Sequence, residues 1–523
     1  MLSLATFLLL QTPVVPIPEY LVVLEAALAA QPHAEAARQL AEHHGGDLWL
    51  WDGSWRALEE ELLERKPRYL ALVLAPETID ANLPRQLVPI LARFGADPFV
   101  DCAFGLITGA TGEETLHFVK NILRAPEGRL PAKKFEAVAV ALDHCVYLSP
   151  RSKAGGVERV LETTELWMTG QQEDWEEFLS LHRGETRGAG LVEWGHCGDS
   201  QGIWLFSMYR NMDDEKHWKY TPEKVGWNPE GEMPRLTPAK LLDGVDLFPA
   251  VVLNGSCHSA VTHNTMVGPD IISTFGDTDG LVRFFPIEPE ESFPLMAISH
   301  GATAYIAPLA ANNANRVSIE QWQILAGGTS LGEVMKRTYD ELVMGAAAHE
   351  LRFALFEDGQ REVQAAPMFD DTVHRVLFGD PAFTAWNEPV ATTHDVQVVA
   401  LEEGNTLRIT ITWTELASDP WVWDPWRDTR DPRGERGRIY ERIPLERRPR
   451  GEPHAKIVEA EVKREGEWRP LELEASVLLE HGLDGEPVLH VKGSGARDEM
   501  NVYGPDAPQA LRAVFQVHFG EPR

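Results

Sequence analysis

The sequence predicts an α/β protein: parallel sheets covered by helices in two subdomains, followed by a C-terminal β-sandwich. Three observations predict it. From Glu19 to about residue 385, short apolar runs alternate with helical stretches, the pattern of strands buried between crossover helices. From about residue 390 the period shortens to two, the mark of strands with one wet face. The length of 523 residues, 44% of them hydrophobic and 24% charged, suits two to four folded domains and rules out wholesale disorder.

Residues 1–18, MLSLATFLLLQTPVVPIP, precede the first charge at Glu19 and carry an apolar core from Leu2 to Leu10. That core has the length of a signal-peptide h-region, although the basic n-region and an A-x-A cleavage site are missing. Two readings follow: an export signal, making the protein extracytoplasmic or secreted, or an apolar arm packed on the first domain of a cytoplasmic protein. Pro13, Pro16 and Pro18 argue against a long helix here, and no uncharged run is apolar enough to span a bilayer.

The first α/β unit is expected over 19–150, with strands at Tyr20–Leu24, Leu48–Trp51, Tyr69–Leu74 and Phe135–Leu142. A helix opens at Thr111, where Glu114 completes a capping box and Leu116, Val119 and Leu123 share a face. The second unit, 151–388, has strands at Leu191–Trp194, Ala250–Leu253 and Ala302–Ala307, with helix starts at Ser318 (Gln321) and Ser330 (Glu333).

Over 389–523 an Ig-like β-sandwich is expected. Leu407, Ile409, Ile411 and Trp413 share one face. The same period recurs at Val458, Ala460, Val462 and at Leu511, Ala513, Phe515, Val517, Phe519. The arginine-rich stretch 427–453 reads as a solvated loop. Trp413, Trp421, Trp423 and Trp426 read as core and edge packing rather than as a carbohydrate or peptide platform.

Acidic residues outnumber basic ones 80 to 48, a net charge of −32. Such a surface repels phosphate backbones, so nucleic acid is excluded as a partner. The four cysteines, Cys102, Cys145, Cys197 and Cys257, are too few for a disulfide scaffold, and their spacing matches neither a zinc ribbon nor a redox CxxC. No cofactor is implied.

In an open α/β sheet, reactive side chains sit just past the carboxyl ends of strands. Two such places stand out. Leu191–Trp194 runs into Gly195, His196, Cys197, Gly198, Asp199 and Ser200, where the glycines leave an imidazole room to face a ligand. Ala250–Leu253 runs into Asn254, Gly255, Ser256, Cys257, His258, Ser259 and Ala260, where small residues admit a substrate backbone. Taken singly, His196 reads as a histidine satisfying local backbone and Cys257 as a buried thiol. Together they pair a thiol with a proton acceptor that titrates near neutrality. A zinc set drawn from His196, Cys197, Asp199, Cys257, His258 and His263 is the rival, and only His258/His263 has ligand-like spacing. Residues 276–280, GDTDG, read as a turn rather than a calcium loop. The Trp- and charge-rich segment from Met208 to Pro238 is expected to overhang the cleft as a lid.

The order strand–Gly-His, then strand–Cys, resembles the caspase-like cysteine peptidases, and their gingipain-type branch in particular. Residues 98–125 (PFVDCAFGLITGATGEETLHFVKNILRA) are similar to that branch's acidic strand and Thr/Glu-started helix. Residues 301–313 (GATAYIAPLAANN) resemble its strand after the nucleophile, and 376–383 (VLFGDPAF) its closing LxGDP signature. The resemblance covers roughly 20–390 and implies caspase-like sheets, a sandwich behind them, and a peptide or protein substrate. It implies Cys257 as nucleophile, His196 as general acid/base, Asp143 as the orienting acid, and backbone donors at Cys257 and at Cys197 or Gly198 for the oxyanion. The family usually has glycine directly after the histidine; here Cys197 stands there, with Gly198 next. A catalytically impaired binding module of the same fold is the alternative. Many members prefer a basic or acidic P1 side chain, and the net charge tilts the expectation toward basic ones.

Overall fold

The computed structural model describes residues 19–95, 97–131, 133–139, 162–168, 172–195, 198–199, 202–204, 208–210, 218–220, 235–256, 258–267, 283–309, 320, 323–325, 327–345, 374–388, 394–400, 405–413, 436–446, 448–481, 486–496 and 509–520. The apolar N-terminal segment 1–18 and the GDTDG turn lie outside them.

Strand and helix alternate through β1 (Tyr20–Glu25), α1 (Pro32–His44), β2 (Asp47–Trp51), α2 (Trp55–Arg65), β3 (Tyr69–Val73), α3 (Asn82–Leu91), β4 (Ala103–Ile107) and α4 (Gly112–Arg124). Next come β5 (Lys133–Ala139), β6 (Glu162–Met168), α5 (Gln172–Glu185) and β7 (Leu191–Gly195). Five short strands follow: β8 (Gly198–Asp199), β9 (Gly202–Trp204), β10 (Met208–Arg210), β11 (Trp218–Tyr220) and β12 (Arg235–Leu236). The unit closes with α6 (Pro238–Leu242), β13 (Val251–Asn254), β14 (Asn264–Val267), β15 (Arg283–Pro286), α7 (Phe293–Ser299), β16 (Ala304–Pro308), α8 (Leu331–Gly345) and β17 (Arg375–Phe378).

Ten of these strands form one sheet in the order β2-β1-β3-β4-β17-β16-β13-β7-β5-β6. Every neighbouring pair is parallel except β16 and β17. The two α/β units thus share a single sheet, joined where β4 meets β17. β5 hydrogen-bonds between β7 and β6, in the second half of the sheet. Strands such as β1, β4 and β16 are buried almost throughout, as covered parallel strands must be. α1, α4, α7 and α6 pack in sequence against one another, α2 packs on α3, and α8 lies against β4 and β17. Two of the expected helix starts are present: the Thr111 hydroxyl accepts from the Glu114 N–H at 3.2 Å and Ser330 Oγ from the Glu333 N–H at 3.3 Å; the start expected at Ser318 lies outside the described residues.

The GDP motif turns out to be a strut at the end of the sheet away from the candidate loops. Just past β17, Asp380 reaches Tyr20 at the start of β1. Asp380 accepts from Tyr20 Oη at 2.7 Å and pairs with His44 Nε2 at 2.7 Å, while Tyr20 stacks on His44. Gly379 has φ +149, and a Cβ on Gly105 of β4 would stand 2.2 Å from its carbonyl oxygen. Glycine at both places lets the two halves of the sheet close up.

The C-terminal unit comprises β18 (His394–Ala400), β19 (Thr406–Trp413), β20 (Arg436–Pro444), β21 (Pro453–Arg464), β22 (Glu467–Pro470), β23 (Leu473–His481), β24 (Pro487–Ala496) and β25 (Ala510–Phe519). Two antiparallel sheets, β18-β19-β25-β21-β22 and β20-β24-β23, face each other over Ile409, Ile411, Ile439, Ile443, Val491, Leu511 and Phe515. This is the expected sandwich. Two local expectations are corrected. Val458 does not share a face with Ala460 and Val462: a bulge between Ile457 and Glu459 leaves it unpaired and 45% exposed, and Ile457 turns to the core instead. The arginine-rich stretch holds β20, whose Ile439 and Ile443 enter the core while Tyr440 and Arg442 face α8. Of the tryptophan cluster, Trp421, Trp423 and Trp426 lie outside the described residues, as does the side chain of Trp413.

The sandwich meets α8 through buried charge. Lys336 Nζ reaches Asp340 at 2.8 Å and Glu480 at 2.7 Å. Arg442 adds contacts to Glu480 at 3.3 Å and Glu333 at 3.5 Å. His490 bonds Glu480 through Nε2 and Tyr440 through Nδ1, both at 2.7 Å, and stacks on Phe99. Burial lowers His490 to about 3, so its neutral ring donates from Nε2 and accepts at Nδ1. Burial pushes the Glu480 carboxyl up, but Lys336, His490 and Arg442 outweigh it and hold the group well below the usual range.

Candidate active site

Three neighbouring parallel strands lead into the loops singled out above. β13 precedes Cys257, β7 precedes His196, Cys197 and Gly198, and β5 precedes Asp143; in the sheet they lie side by side as β13-β7-β5. Asn254 stands opposite Trp194, and Val138 of β5 opposite Gly195. One further bond extends the β7–β13 ladder, from the Gly255 N–H to the Trp194 carbonyl at 3.0 Å. The chain therefore leaves both strands at one level, two residues before His196 and three before Cys257. His196, Cys197, Cys257 and Asp143 themselves lie outside the described residues. Gly198 opens β8, which pairs with β9, and β9 in turn with β12. Within the expected lid, β10 pairs with β11.

The described residues around Cys257 are held from several sides. Asn254 Oδ1 accepts from the Ser256 N–H at 2.8 Å, and its Nδ2 donates to Tyr305 Oη at 2.9 Å. Tyr305 Oη donates onward to the Ser259 carbonyl at 2.7 Å, and Ser259 Oγ to the Ser256 carbonyl at 2.6 Å. Arg375, wholly buried, makes a two-pronged pair with Glu320 at 2.6 and 2.5 Å and donates to the Asn254 carbonyl at 3.3 Å. His258 takes a left-handed backbone, φ 55, which a residue with a Cβ seldom adopts. Its ring is 2% exposed, and burial lowers it to about 4, so it is neutral near pH 7. Beneath β7, Trp194 Nε1 donates to His182 Nε2 at 3.1 Å; burial lowers His182 to about 3, leaving the acceptor lone pair free of a proton.

Sequence inspection missed this brace. Arg375 and Glu320 belong to no motif, Tyr305 stands in 301–313 only as a strand residue, and a polar Asn254 ending an apolar strand was the one hint. Cys102 is buried as a small hydrophobe, its thiol pushed up by burial. Among the described residues one set of three metal-type donors comes together, Asp340, Glu480 and His490, but Lys336 already lies between its two carboxylates.

No protein-family model matches the chain, and no curated protein matches its sequence. Among solved structures, the complex of Porphyromonas gingivalis RgpB pro- and mature domains matches over 92% of this chain and 94% of that chain, at 9% identity and a TM-score of 0.37. The α/β sheet with a β-sandwich behind it, established by this chain's own strand order, is the architecture expected from the sequence.

Proposed function

We propose that the chain is a gingipain-type, caspase-like cysteine endopeptidase that cleaves peptide bonds through Cys257 and His196. The observation that carries this reading is the Trp194–Gly255 bond, which delivers the Gly-His and Cys loops from adjacent parallel strands at the same end of the sheet. The Cys257 thiolate attacks the scissile carbonyl carbon. The resulting oxyanion takes hydrogen bonds from the backbone N–H groups of Cys257 and of Cys197 or Gly198. The C–N bond breaks as His196 gives its proton to the leaving amine, leaving a thioester. A water then loses a proton to His196, attacks the thioester and releases the acid, and the thiolate is restored. Asp143, past the neighbouring β5, orients His196. The left-handed backbone at His258 and the Asn254–Tyr305–Ser259 brace support a turn held in one shape around the nucleophile. Export through the N-terminal apolar segment is part of the same proposal.

A fluorogenic peptide library assayed on wild type beside Cys257→Ala tests it, together with N-terminal sequencing of the protein recovered from cells. Cleavage by wild type and a loss of roughly a thousandfold or more in the variant is expected. A thiol-reactive peptidyl inhibitor should label Cys257 selectively, and only when His196 is intact. Cleavage by both proteins removes Cys257 from the mechanism. Slow, equal labelling of all four cysteines favours a binding module.

A further inference from the structure

The first half of the sheet has a crevice of its own. Its strand order, β2-β1-β3-β4, reverses direction at β1: the chain passes from β1 to β2 on one side, then to β3 on the other. The loops beyond the carboxyl ends of β1 and β3 diverge at such a switch point and leave a gap where ligands bind. A cavity of about 390 Å³ occupies that gap. Glu25 at the end of β1, Trp51, Asp52 and Trp55 after β2, and Thr78 and Asp80 after β3 contribute to its walls.

The chemistry of the lining is one-sided. Among the described residues it carries three carboxylates and no lysine, arginine or histidine. Glu25 Oε2 accepts from the Ala75 N–H at 3.0 Å and Thr78 Oγ1 at 2.9 Å, and Asp52 Oδ1 accepts from the Ser54 N–H at 2.9 Å. Asp80 caps the turn into α3, accepting from the N–H groups of Asn82 and Leu83. These bonds orient the carboxylates through neutral N–H and O–H donors. Trp51 and Trp55 meet edge to face at 5.3 Å, with Trp51 Nε1 tied to the Ser54 carbonyl at 2.9 Å. Aromatic faces beside carboxylates suit a cation that carries carbon as well as charge. A bare metal ion fits poorly: it wants six or more oxygens at about 2.3–2.6 Å, in a space far smaller than this one.

We propose that this crevice binds an organic cation, a guanidinium or alkylammonium group, seated against Trp51 and Trp55 and neutralised by Glu25, Asp52 and Asp80. The charge could come from a free amine or from a basic side chain of a peptide; both present the same group.

The test is calorimetric titration of the full chain with n-butylguanidinium, spermidine, a short arginine-containing peptide and, separately, calcium. Saturable binding of at least one organic cation is expected, weakened about tenfold or more by Asp52→Asn and by Trp55→Leu, and weakened by added salt. Asp52 is exposed and its asparagine keeps an acceptor for Ser54, so that variant should fold as wild type does. Cys257→Ala should bind as wild type does, which separates this crevice from the proposed peptidase site. Stronger binding by the peptide than by the free amines identifies a peptide side chain as the source, and the reverse order a free amine. No binding up to millimolar concentration, organic-cation binding unchanged in Asp52→Asn, or calcium binding tighter than the organic cations and lost in Asp52→Asn would each overturn the proposal.

Discussion

The ten-stranded sheet and the sandwich bury their apolar side chains by different rules, and the joint between them follows neither. In the sheet, strands such as β1 and β16 are covered on both faces and read as unbroken apolar runs. In the sandwich, inward Ile409 and Ile411 alternate with the outward Arg408, Thr410 and Thr412. Between the two cores stands a group of buried charges: Lys336, Asp340, Glu480 and Arg442, with His490 beside them. An apolar seam would hold the units together without directing them. A set of ion pairs works only when each charge meets its partner, so it defines how the sandwich seats on α8.

The largest effect should come from breaking that joint. Lys336→Met leaves Asp340 and Glu480 buried against each other and should cost about 3–5 kcal/mol, read by chemical denaturation. If the loss is below about 1 kcal/mol, the two carboxylates find water and the joint is loose. Next come the cores themselves. Leu70→Ala in the sheet and Leu511→Ala in the sandwich, both fully buried, should each cost about 2–5 kcal/mol. In scanning calorimetry each should move the transition of its own unit. One transition that shifts equally for both would mean that the charged joint makes the two cores a single cooperative unit.

Acid should separate the regions further. Burial lowers His182 to about 3, His258 to about 4 and His374 to about 3 in the sheet, and His490 to about 3 in the sandwich. Unfolded, each takes up a proton near pH 6.5. Their contribution is therefore complete above pH 6.5 and is lost as pH falls toward 3–4, at up to about 1 kcal/mol per pH unit for each group. Asp101 acts in the opposite sense. Burial, then Asp97, raises it to about 7, so its contribution is present below its unfolded value and lost as pH rises through about 7. Stability measured from pH 8 to 4 should fall in acid, more steeply for the sheet with its three histidines, and Asp101→Asn, which removes the opposing contribution, should make the sheet's fall between about pH 6.5 and 4 steeper still. The smallest effect is local: Thr111→Ala removes the α4 cap and should cost the sheet unit about 1 kcal/mol while leaving the sandwich transition in place.

Much of this architecture was legible in the residues. Apolar runs located β1, β2, β3, β7, β13 and β16 to within a few residues, and Thr111 and Ser330 marked where α4 and α8 begin. The order of the Gly-His and Cys loops could be read as well, because each follows a recognisable strand. β20 escaped notice because arginines and glutamates crowd the period of two carried by Ile439 and Ile443; Glu441 and Arg442 are directed at α8 rather than at water. Val458 was placed on the wrong face because a bulge is one extra residue that no periodicity announces. Asp380 drew attention as part of a signature, yet what it does depends on Tyr20, 360 residues away along the chain.

By itself, the sequence determined the elements and the level of the chain at which each candidate loop begins. Side-chain period, caps and turn residues act over a few neighbouring residues, so they are present in any short window. Tertiary structure alone decided that β17 lies between β4 and β16 and runs antiparallel to β16, that β5 lies beside β7, and that a crevice opens over β1 and β3. It also decided that Lys336 and Glu480, 144 residues apart, share a proton-rich contact inside the molecule. Those arrangements come from contacts between distant segments, whose energy exists only once the whole sheet has closed and excluded water.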